Sequence, residues 1–182
     1  NAFRMVPCRS VFSWSAMISS YVEYGNPQDA LEAYCSMQKD GIEPDSYTFV
    51  GLLKACGSII NMEKGMEIHG EIIKKGLLKE DQIVSNALIG MYAKCGLFSK
   101  AHEVFERLAF KNVISWTSII AAWCETGHFE KAVDDFKQML LRGVQPDKVS
   151  FLCSLDACAM LSTLEEGTRM NATICKLGIE NH

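Results

Sequence analysis

The chain repeats itself after 102 residues, and this repeat is the strongest constraint on its fold. When residues 11–80 are placed against residues 113–182, they align without a gap and 20 of the 70 pairs are identical. Unrelated segments of average composition would agree at about 6% of positions. The identities include VFSW at 11–14 against VISW at 113–116, and they concentrate at apolar and turn positions. The same structural element must therefore occur twice.

A shorter unit lies inside this long period. Three glycines are each followed, five residues later, by an alanine: Gly25 and Ala30, Gly96 and Ala101, Gly127 and Ala132. A glycine in this position typically ends one helix, and the alanine falls inside the next. The pattern predicts five units after the end of an earlier one in residues 1–10. They are 11–45, 46–81, 82–112, 113–147 and 148–182, the last of which ends at or one residue short of its full length.

Each unit has the apolar pattern of two helices. In unit 113–147, apolar residues recur at helical spacing on both sides of Gly127. The first set is Trp116, Ile119, Ile120 and Trp123, and the second is Ala132, Val133, Phe136, Met139 and Leu140. No alternating pattern is sustained, so strands are not indicated. Hairpins of this length cannot bury both faces alone, so we predict an all-α fold, an α-solenoid of stacked helix-turn-helix repeats with a continuous core and a concave surface.

Composition excludes several classes of protein. Apolar residues make up 48% of the chain and charged residues 22%, which indicates a folded chain. The net charge of −4 provides no global positive field to attract nucleic acid or an anionic membrane, so such a partner must be met locally. No stretch approaches the roughly 20 apolar residues of a transmembrane helix, and none is predicted. The eight cysteines fall within helical apolar patterns and are interpreted as reduced core thiols.

Motifs of enzyme sites are incomplete in this sequence. His69 and Glu71 spell the HxE of zinc deaminases, but the PCxxC that completes that metal site is absent. Cys153 and Cys158 do not have CxxC spacing, and no histidine pair completes a tetrahedral site. There is no glycine-rich phosphate loop and no GxSxG motif. We therefore expect no catalytic residue, metal or cofactor, and a structural role for His69; an enzymatic activity would require a domain beyond residue 182.

The units resemble the pentatricopeptide repeat family. The 35-residue VISWTSIIAAWCETGHFEKAVDDFKQMLLRGVQPD at 113–147 is similar to its standard unit, 46–81 to its long unit, and 82–112 to its short unit. Their order resembles the plant organellar subclass built from such triplets. Unit lengths of 35, 36 and 31 residues do not fit the 34-residue tetratricopeptide repeat. The resemblance implies an α-solenoid wound as a right-handed superhelix.

The resemblance also implies sequence-selective binding of single-stranded RNA, one base per repeat, through the fifth and last residues of each unit. The reading pairs would be Ser15 with Asp45, Asn86 with Asn112, and Thr117 with Asp147. The long units carry Val50 with Asp81, and Leu152, as weak or non-coding positions, because the fifth side chain cannot hydrogen-bond a base. Read from N to C along 5′ to 3′, the family's preferences give the target G, any, C or U, G, any.

Further contacts and a location follow from the same resemblance. The second residue of each unit would flank the bases: Phe12, Tyr47, Ile83, Ile114 and Val149. Lys94 would meet the RNA backbone, and it alone fits the family's lysine late in the first helix. The implied role is in editing, splicing or stability of transcripts in a plastid or mitochondrion, with no membrane or DNA partner expected.

Two alternatives remain open from the residues. Ser15, Asn86 and Thr117 are also ordinary first-turn helix residues, and Asp45, Asn112 and Asp147 could simply cap the following helices. Both roles can coexist at one residue. The alternative function is a protein-binding helical-repeat scaffold, which the acidic net charge and the scarcity of suitable lysines favour. A groove lined by phased polar side chains would indicate RNA, and a continuous apolar groove would indicate a protein partner.

Overall fold

The computed structural model describes residues 10–161, which are helical with short connections and contain no strand. The predicted all-α class is confirmed. Most of the last predicted unit, and residues 1–9 with Cys8, lie outside the described residues. The helices are α1 Val11–Glu23, α2 Pro27–Lys39, α3 Ser46–Ser58, α4 Met62–Lys74, α5 Leu77–Glu80, α6 Gln82–Lys94, α7 Phe98–Glu106, α8 Val113–Glu125, α9 Phe129–Leu141 and α10 Lys148–Met160.

The chain divides between Ala109 and Phe110 into two compact units. In the first, α1 pairs with α2, α3 with α4, and α6 with α7; α1 also packs on α3, and α3 on α6. In the second, α8 pairs with α9, and α10 packs on both. In each compact unit, therefore, the first helix of one hairpin lies against the first helix of the next hairpin.

Helix length is nearly constant. Eight of the ten described helices have 13 residues, which corresponds to about 20 Å of helix at a rise of about 1.5 Å per residue. The helix α7 has only 9 residues, four fewer, and it lies in the predicted unit that is four residues shorter than the standard one. Within residues 10–161, no helix combines the length and apolar character that a bilayer crossing requires.

Polar side chains fix where the first helix of each hairpin begins. In all five first helices, the residue before the helix accepts a hydrogen bond from a backbone N–H of the first turn. Such a bond satisfies a donor that has no partner inside the helix. The capping residues are Ser10, Asp45, Asp81, Asn112 and Asp147.

The apolar faces form the cores that the periodicity predicts. In the second compact unit, eight of the predicted core side chains are buried, and Leu140 is half-buried. The buried ones are Trp116, Ile119, Ile120, Trp123, Ala132, Val133, Phe136 and Met139. The indole Nε1 of Trp123 donates to Asp135 Oδ2 at 2.7 Å, which ties α8 to α9. In the first unit, the Tyr34 hydroxyl donates to Glu71 Oε2 at 2.5 Å and links α2 to α4. Burial raises the pKa of Tyr34, and this bond to Glu71 adds to the effect.

The six cysteines among the described residues are free thiols. Cys56 and Cys158 are buried, and burial raises the pKa of Cys56 to about 11. The core interpretation is wrong for Cys35, which is exposed. Its neighbours on α2 explain this, because Ala33 and Tyr34 face the core and helical periodicity turns the next residue outward. Cys175, like Cys8, lies outside the described residues.

Two glycines with open surroundings provide a test of the turn geometry. Gly25 ends the α1 hairpin turn at a φ of +76°, whereas Gly70 lies inside α4, and a Cβ at either position would meet no atom within 4 Å. Only backbone conformation therefore separates them. We expect Gly25→Ala to destabilise the protein by about 1 kcal/mol, because left-handed backbone is unfavourable for alanine.

Gly70→Ala is the matched control, and it should stabilise the protein by about 0.5–1 kcal/mol through helix propensity. Urea denaturation followed by circular dichroism measures both values. A shift of the same sign in the two variants would contradict the interpretation.

Candidate functional site

The fifth residue of a first helix meets the last residue of the same predicted unit in both compact units. Ser15 Oγ donates to Asp45 Oδ1 at 3.0 Å between α1 and the start of α3. Thr117 Oγ1 donates to Asp147 Oδ1 at 3.1 Å between α8 and the start of α10. Both pairs span 30 residues of sequence. The contact recurs because each aspartate caps a helix that packs against the helix carrying the hydroxyl.

The Asp45 carboxylate is held by a cluster of hydroxyl and amide groups. Its Oδ1 accepts from the Thr48 backbone N–H at 2.8 Å and from Thr48 Oγ1 at 2.7 Å, besides the bond from Ser15. Ser15 Oγ lies 2.7 Å from Thr48 Oγ1 and also donates to the Val11 carbonyl at 2.8 Å. The side chains of Ser15 and Thr48 are buried, and Asp45 is partly exposed.

The Asp147 carboxylate has a simpler environment. Its Oδ1 accepts from the Ser150 backbone N–H at 2.8 Å and from Thr117 Oγ1. The Ser150 hydroxyl turns to the backbone, where it accepts from the Asp147 N–H at 3.1 Å and completes a capping box. Thr117 and Asp147 are both partly exposed, so this pair is open to solvent on one side.

Within residues 10–161, one carboxylate oxygen of each pair has no protein partner. Among residues 10–161, every hydrogen bond to the Asp45 carboxylate ends on Oδ1, and the same holds for Asp147. Helix capping therefore uses one oxygen of each aspartate and leaves Oδ2 able to accept from a ligand. Capping and recognition are compatible at the same side chain.

The Asn86 and Asn112 side chains lie in different compact units. Asn86 is half-buried on α6, and its Oδ1 is buried and accepts no hydrogen bond within the described part of the chain. Asn112 precedes α8 and accepts from the Ser115 N–H at 3.0 Å. The pairing of these two amides stays a prediction.

The fifth positions of the long units carry apolar side chains. Val50 is half-buried on α3, and Leu152 is exposed on α10. Asp81 caps α6 through the Ile83 N–H at 2.9 Å. None of these contacts gives the long units a hydroxyl-carboxylate pair.

The second residue of every first helix is an exposed apolar side chain. These five residues are between 52% and 77% exposed, although their size and character would favour burial. Each lies one turn before the fifth residue, on the same side of its helix. They are Phe12, Tyr47, Ile83, Ile114 and Val149.

Lys94 is exposed at the end of α6. Its stem passes close to α3, since a Cβ on Gly57 would lie 3.3 Å from Lys94 Cδ. The ammonium group at the end of such a stem remains available to solvent and to anionic partners.

His69 has a structural environment in the first unit. Its Nδ1 lies 2.6 Å from the Tyr92 hydroxyl, which links α4 to α6 beside a cavity of about 540 Å³. Burial lowers the pKa of His69, and the positive charge of Lys100 on α7 adds to the effect. Within residues 10–161, no group of three or more His, Cys, Asp or Glu side chains is placed to hold a metal ion.

Family models match most of the chain. A model described as PPR repeat family matches residues 9–58 and 111–160, and one described as PPR repeat matches residues 83–113. The chain belongs to the pentatricopeptide repeat family.

Curated plant relatives agree with this assignment. The chain is 37% identical over 171 residues to the chloroplastic pentatricopeptide repeat-containing protein At4g25270 of Arabidopsis thaliana, covering 94% of this chain and 32% of the relative. It is 37% identical over 174 residues to the chloroplastic protein CRR2 of the same organism, covering 94% of this chain and 26% of CRR2. The chain thus spans a third or less of these two relatives.

Solved structures show the same repeat fold. The pentatricopeptide repeat protein PPR10, in complex with an 18-nt psaJ RNA element, matches with a TM-score of 0.76 at 17% identity, over 94% of this chain and 26% of PPR10. The nuclear protein-only RNase P 2 (PRORP2) of Arabidopsis thaliana matches with a TM-score of 0.65 at 14% identity, over 91% of this chain and 38% of PRORP2. At these identities the likeness establishes the fold alone.

Sequence reasoning missed Thr48 as a member of the Ser15 and Asp45 cluster. A usable signal exists, because at four first-helix starts the capping residue is followed three positions later by Ser or Thr. These are Ser10 with Ser13, Asp45 with Thr48, Asn112 with Ser115, and Asp147 with Ser150. This spacing predicts a helix start, but it does not reveal which hydroxyl turns back to the carboxylate.

Two substitutions at Asp147 distinguish its role as a helix cap from the effect of its negative charge. We expect Asp147→Ala to destabilise the protein by about 1 kcal/mol, because the Ser150 N–H loses its acceptor. Asp147→Asn should remain within a few tenths of a kcal/mol of wild type, since an amide oxygen also caps a helix. Thermal unfolding followed by circular dichroism measures both; equal losses in the two variants would show that the cap is not the relevant interaction.

The buried His69 gives the protein a pH dependence of stability. Its lowered pKa means that, below about pH 6.5, the unfolded chain binds a proton that the folded protein resists. Stability should therefore fall as pH drops from 7 through this range. His69→Asn should flatten the slope, measured as urea midpoints between pH 7 and pH 5. An unchanged slope in the variant would contradict the assignment to His69.

Proposed function

We propose that this chain binds single-stranded RNA with sequence selectivity, one base per repeat, as part of an organellar RNA-processing factor. One observation carries the proposal. The hydroxyl-carboxylate pair formed by Ser15 and Asp45 recurs as Thr117 and Asp147, at the same repeat positions and with nearly the same distance.

The chemistry of each pair suits a guanine. Guanine presents neighbouring N–H donors on its Watson–Crick edge, and single-stranded RNA exposes that edge to proteins. The Oδ2 atoms of Asp45 and Asp147 are acceptors with no protein partner among the described residues. A carboxylate cannot donate to a base that presents only acceptors at this point, so the arrangement discriminates between bases.

The exposed second residues supply the other part of a base site. Phe12 lies three residues before Ser15 and Ile114 three residues before Thr117, on the same helix faces. Apolar and aromatic side chains in such positions hold bases by stacking and van der Waals contact, with little regard to base identity. The pair would then select the base, while the second residue keeps it in place.

The other units complete the proposed target. By the family's preferences, Asn86 with Asn112 favours a pyrimidine, with cytosine first. Val50 with Asp81 and Leu152 leave their positions unspecified. We use the unit boundaries predicted from the sequence and the order of standard, long and short repeats that resembles the plant organellar subclass. The target is then G, any, C or U, G, any.

The comparisons support the ligand and the location. PPR10 shares the fold and is described in complex with an RNA element, and two relatives that cover 94% of this chain are described as chloroplastic. We therefore propose a plastid or mitochondrial role in editing, splicing or transcript stability. Lys94 is the proposed contact to the RNA backbone.

We assign this segment binding and no catalytic step. The proposed reading and flanking side chains hold and recognise a base. The same repeat fold also occurs in PRORP2, a protein described as an RNase P. An enzymatic activity of the whole protein would need a catalytic domain outside residues 1–182.

A protein-binding scaffold is the second candidate function. Exposed apolar side chains gather around the turn between α3 and α4, which favours a protein contact at that place. They are Ile59, Ile60, Met62 and Met66. The net charge of −4 also favours it.

A gel-shift titration of the whole chain distinguishes the two functions. A short RNA containing G-N-C-G-N should bind more tightly than its scrambled form at low salt, and part of the preference should persist as salt is raised, because base contacts do not release counterions. Equal affinity for both RNAs would refute sequence-selective reading and favour the scaffold.

Thr117→Asn tests a single reading position. By the family's preferences, an Asn-Asp pair favours uracil, so the variant should prefer uracil over guanine at the fourth nucleotide. We expect a switch of roughly tenfold, the equivalent of about one hydrogen bond to a charged group. Affinities for RNAs that differ only at that nucleotide provide the measurement.

Ser118→Asn is the control for this substitution. Ser118 is the next residue on α8, and its hydroxyl donates to the Ile114 carbonyl at 2.8 Å within the same helix. This variant should keep the preference for guanine. A switch in both variants would show that asparagine alters α8 in general and that Thr117 is not a reading residue.

A further inference from the structure

We propose that Thr48 is a positioning residue for base selectivity in the unit 11–45, because its hydroxyl holds the Asp45 carboxylate in the orientation that reads the base. The inference rests on the proposed RNA-binding function. It concerns a residue that is neither the fifth nor the last of its own unit.

Three side-chain oxygens form a closed cluster around Thr48. Thr48 Oγ1 lies 2.7 Å from Asp45 Oδ1 and 2.7 Å from Ser15 Oγ, and Ser15 Oγ lies 3.0 Å from Asp45 Oδ1. The Thr48 side chain is fully buried against the core. Its hydroxyl is thus fixed by packing and cannot turn to solvent.

Counting protons shows which group is free to meet a base. Two hydroxyl protons are available, one on Ser15 and one on Thr48, and the ionised carboxylate can only accept. The Thr48 proton goes to Asp45 Oδ1, and the Ser15 proton is shared among Val11 O, Asp45 Oδ1 and Thr48 Oγ1. The buried Ser15 hydroxyl has no proton left for a ligand, so Asp45 Oδ2 is the reading atom of this unit.

The equivalent site in the second compact unit lacks this device. Ser150 occupies the position of Thr48, but its hydroxyl bonds to the backbone N–H and carbonyl of Asp147 and not to the carboxylate. Asp147 Oδ1 therefore has two donors where Asp45 Oδ1 has three. Thr117 is partly exposed, so its hydroxyl can contact a base directly.

The long unit ending at Asp81 offers a contrast. The residue three positions after Asp81 is Val84, which has no hydroxyl, and the carboxylate accepts from the Ile83 N–H instead. Ser85 Oγ, one residue later, donates to the Leu78 carbonyl. The hydroxyl that would orient the carboxylate is thus absent beside Asp81, the last residue of a unit whose fifth residue cannot read a base.

The test compares Thr48→Val with Thr48→Ser in the whole chain. Valine keeps the shape of threonine and removes the hydroxyl, whereas serine keeps the hydroxyl. The probes are two short RNAs that differ only at the first position of the target, G or A. We expect Thr48→Val to reduce the preference for G by roughly three- to tenfold, the net effect of losing one typical hydrogen bond, and Thr48→Ser to retain it.

The ratio of the two affinities makes the test independent of folding. Both RNAs bind the same folded population, so partial unfolding of a variant lowers both affinities equally and leaves their ratio unchanged. Thr48→Ala, measured in the same way, is a second variant without the hydroxyl. Ser154→Ala is the control, because it removes a fully buried hydroxyl that donates only to the Ser150 carbonyl at 2.7 Å. It should keep the wild-type ratio.

Each outcome separates this inference from the proposed function. If wild type does not distinguish G from A at that position, both proposals are wrong. If wild type distinguishes them and Thr48→Val has the same ratio, the positioning role alone is overturned. An equal loss for both RNAs would show that Thr48 only stabilises the fold, and this also overturns it.

Discussion

The backbone N–H groups at the start of a helix need acceptors, and the structure depends on how this chain supplies them. Four predicted units end within the described residues, and each ends in a carboxylate or amide that caps the first helix of the next one. The cap uses one oxygen and a nearly fixed geometry. It therefore places a polar side chain at the start of each of these helices, and the Oδ2 atoms of Asp45 and Asp147 have no protein partner among the described residues.

Packing between first helices turns this cap into a pair. Because α3 lies on α1 and α10 lies on α8, the capping aspartate comes within hydrogen-bond distance of a hydroxyl 30 residues earlier. The same apolar faces that bury Trp116 and Phe49 thus bring the polar pair together. Under the proposed function, substitution at these two positions would change the base preference and leave the core packing in place.

Much of the architecture was predictable from residue order. Helical spacing of Trp116, Ile119, Ile120 and Trp123 predicted a buried face, and all four side chains are buried. The helical apolar pattern predicted a core position for Cys35. The Cys35 thiol is exposed, because the helix turns it outward. Ser15, a predicted reading residue, is only 7% exposed, because Thr48 and Asp45 close over its hydroxyl. The membership of Thr48 in that cluster depends on a rotamer, which residue order does not reveal.

Sequence alone determined the repeat, the helical class and the phase of the polar positions, because these follow from periodicity and from turn and cap chemistry within one repeat. Tertiary structure decided how two pairs with the same chemistry differ. Ser15 is sealed beneath a buried threonine, while Thr117 stays partly open beside a serine that bonds to backbone. The physical reason is that the hydrogen-bond partner of a hydroxyl depends on which acceptors lie within about 3 Å of it. The packing of neighbouring helices determines which acceptors those are.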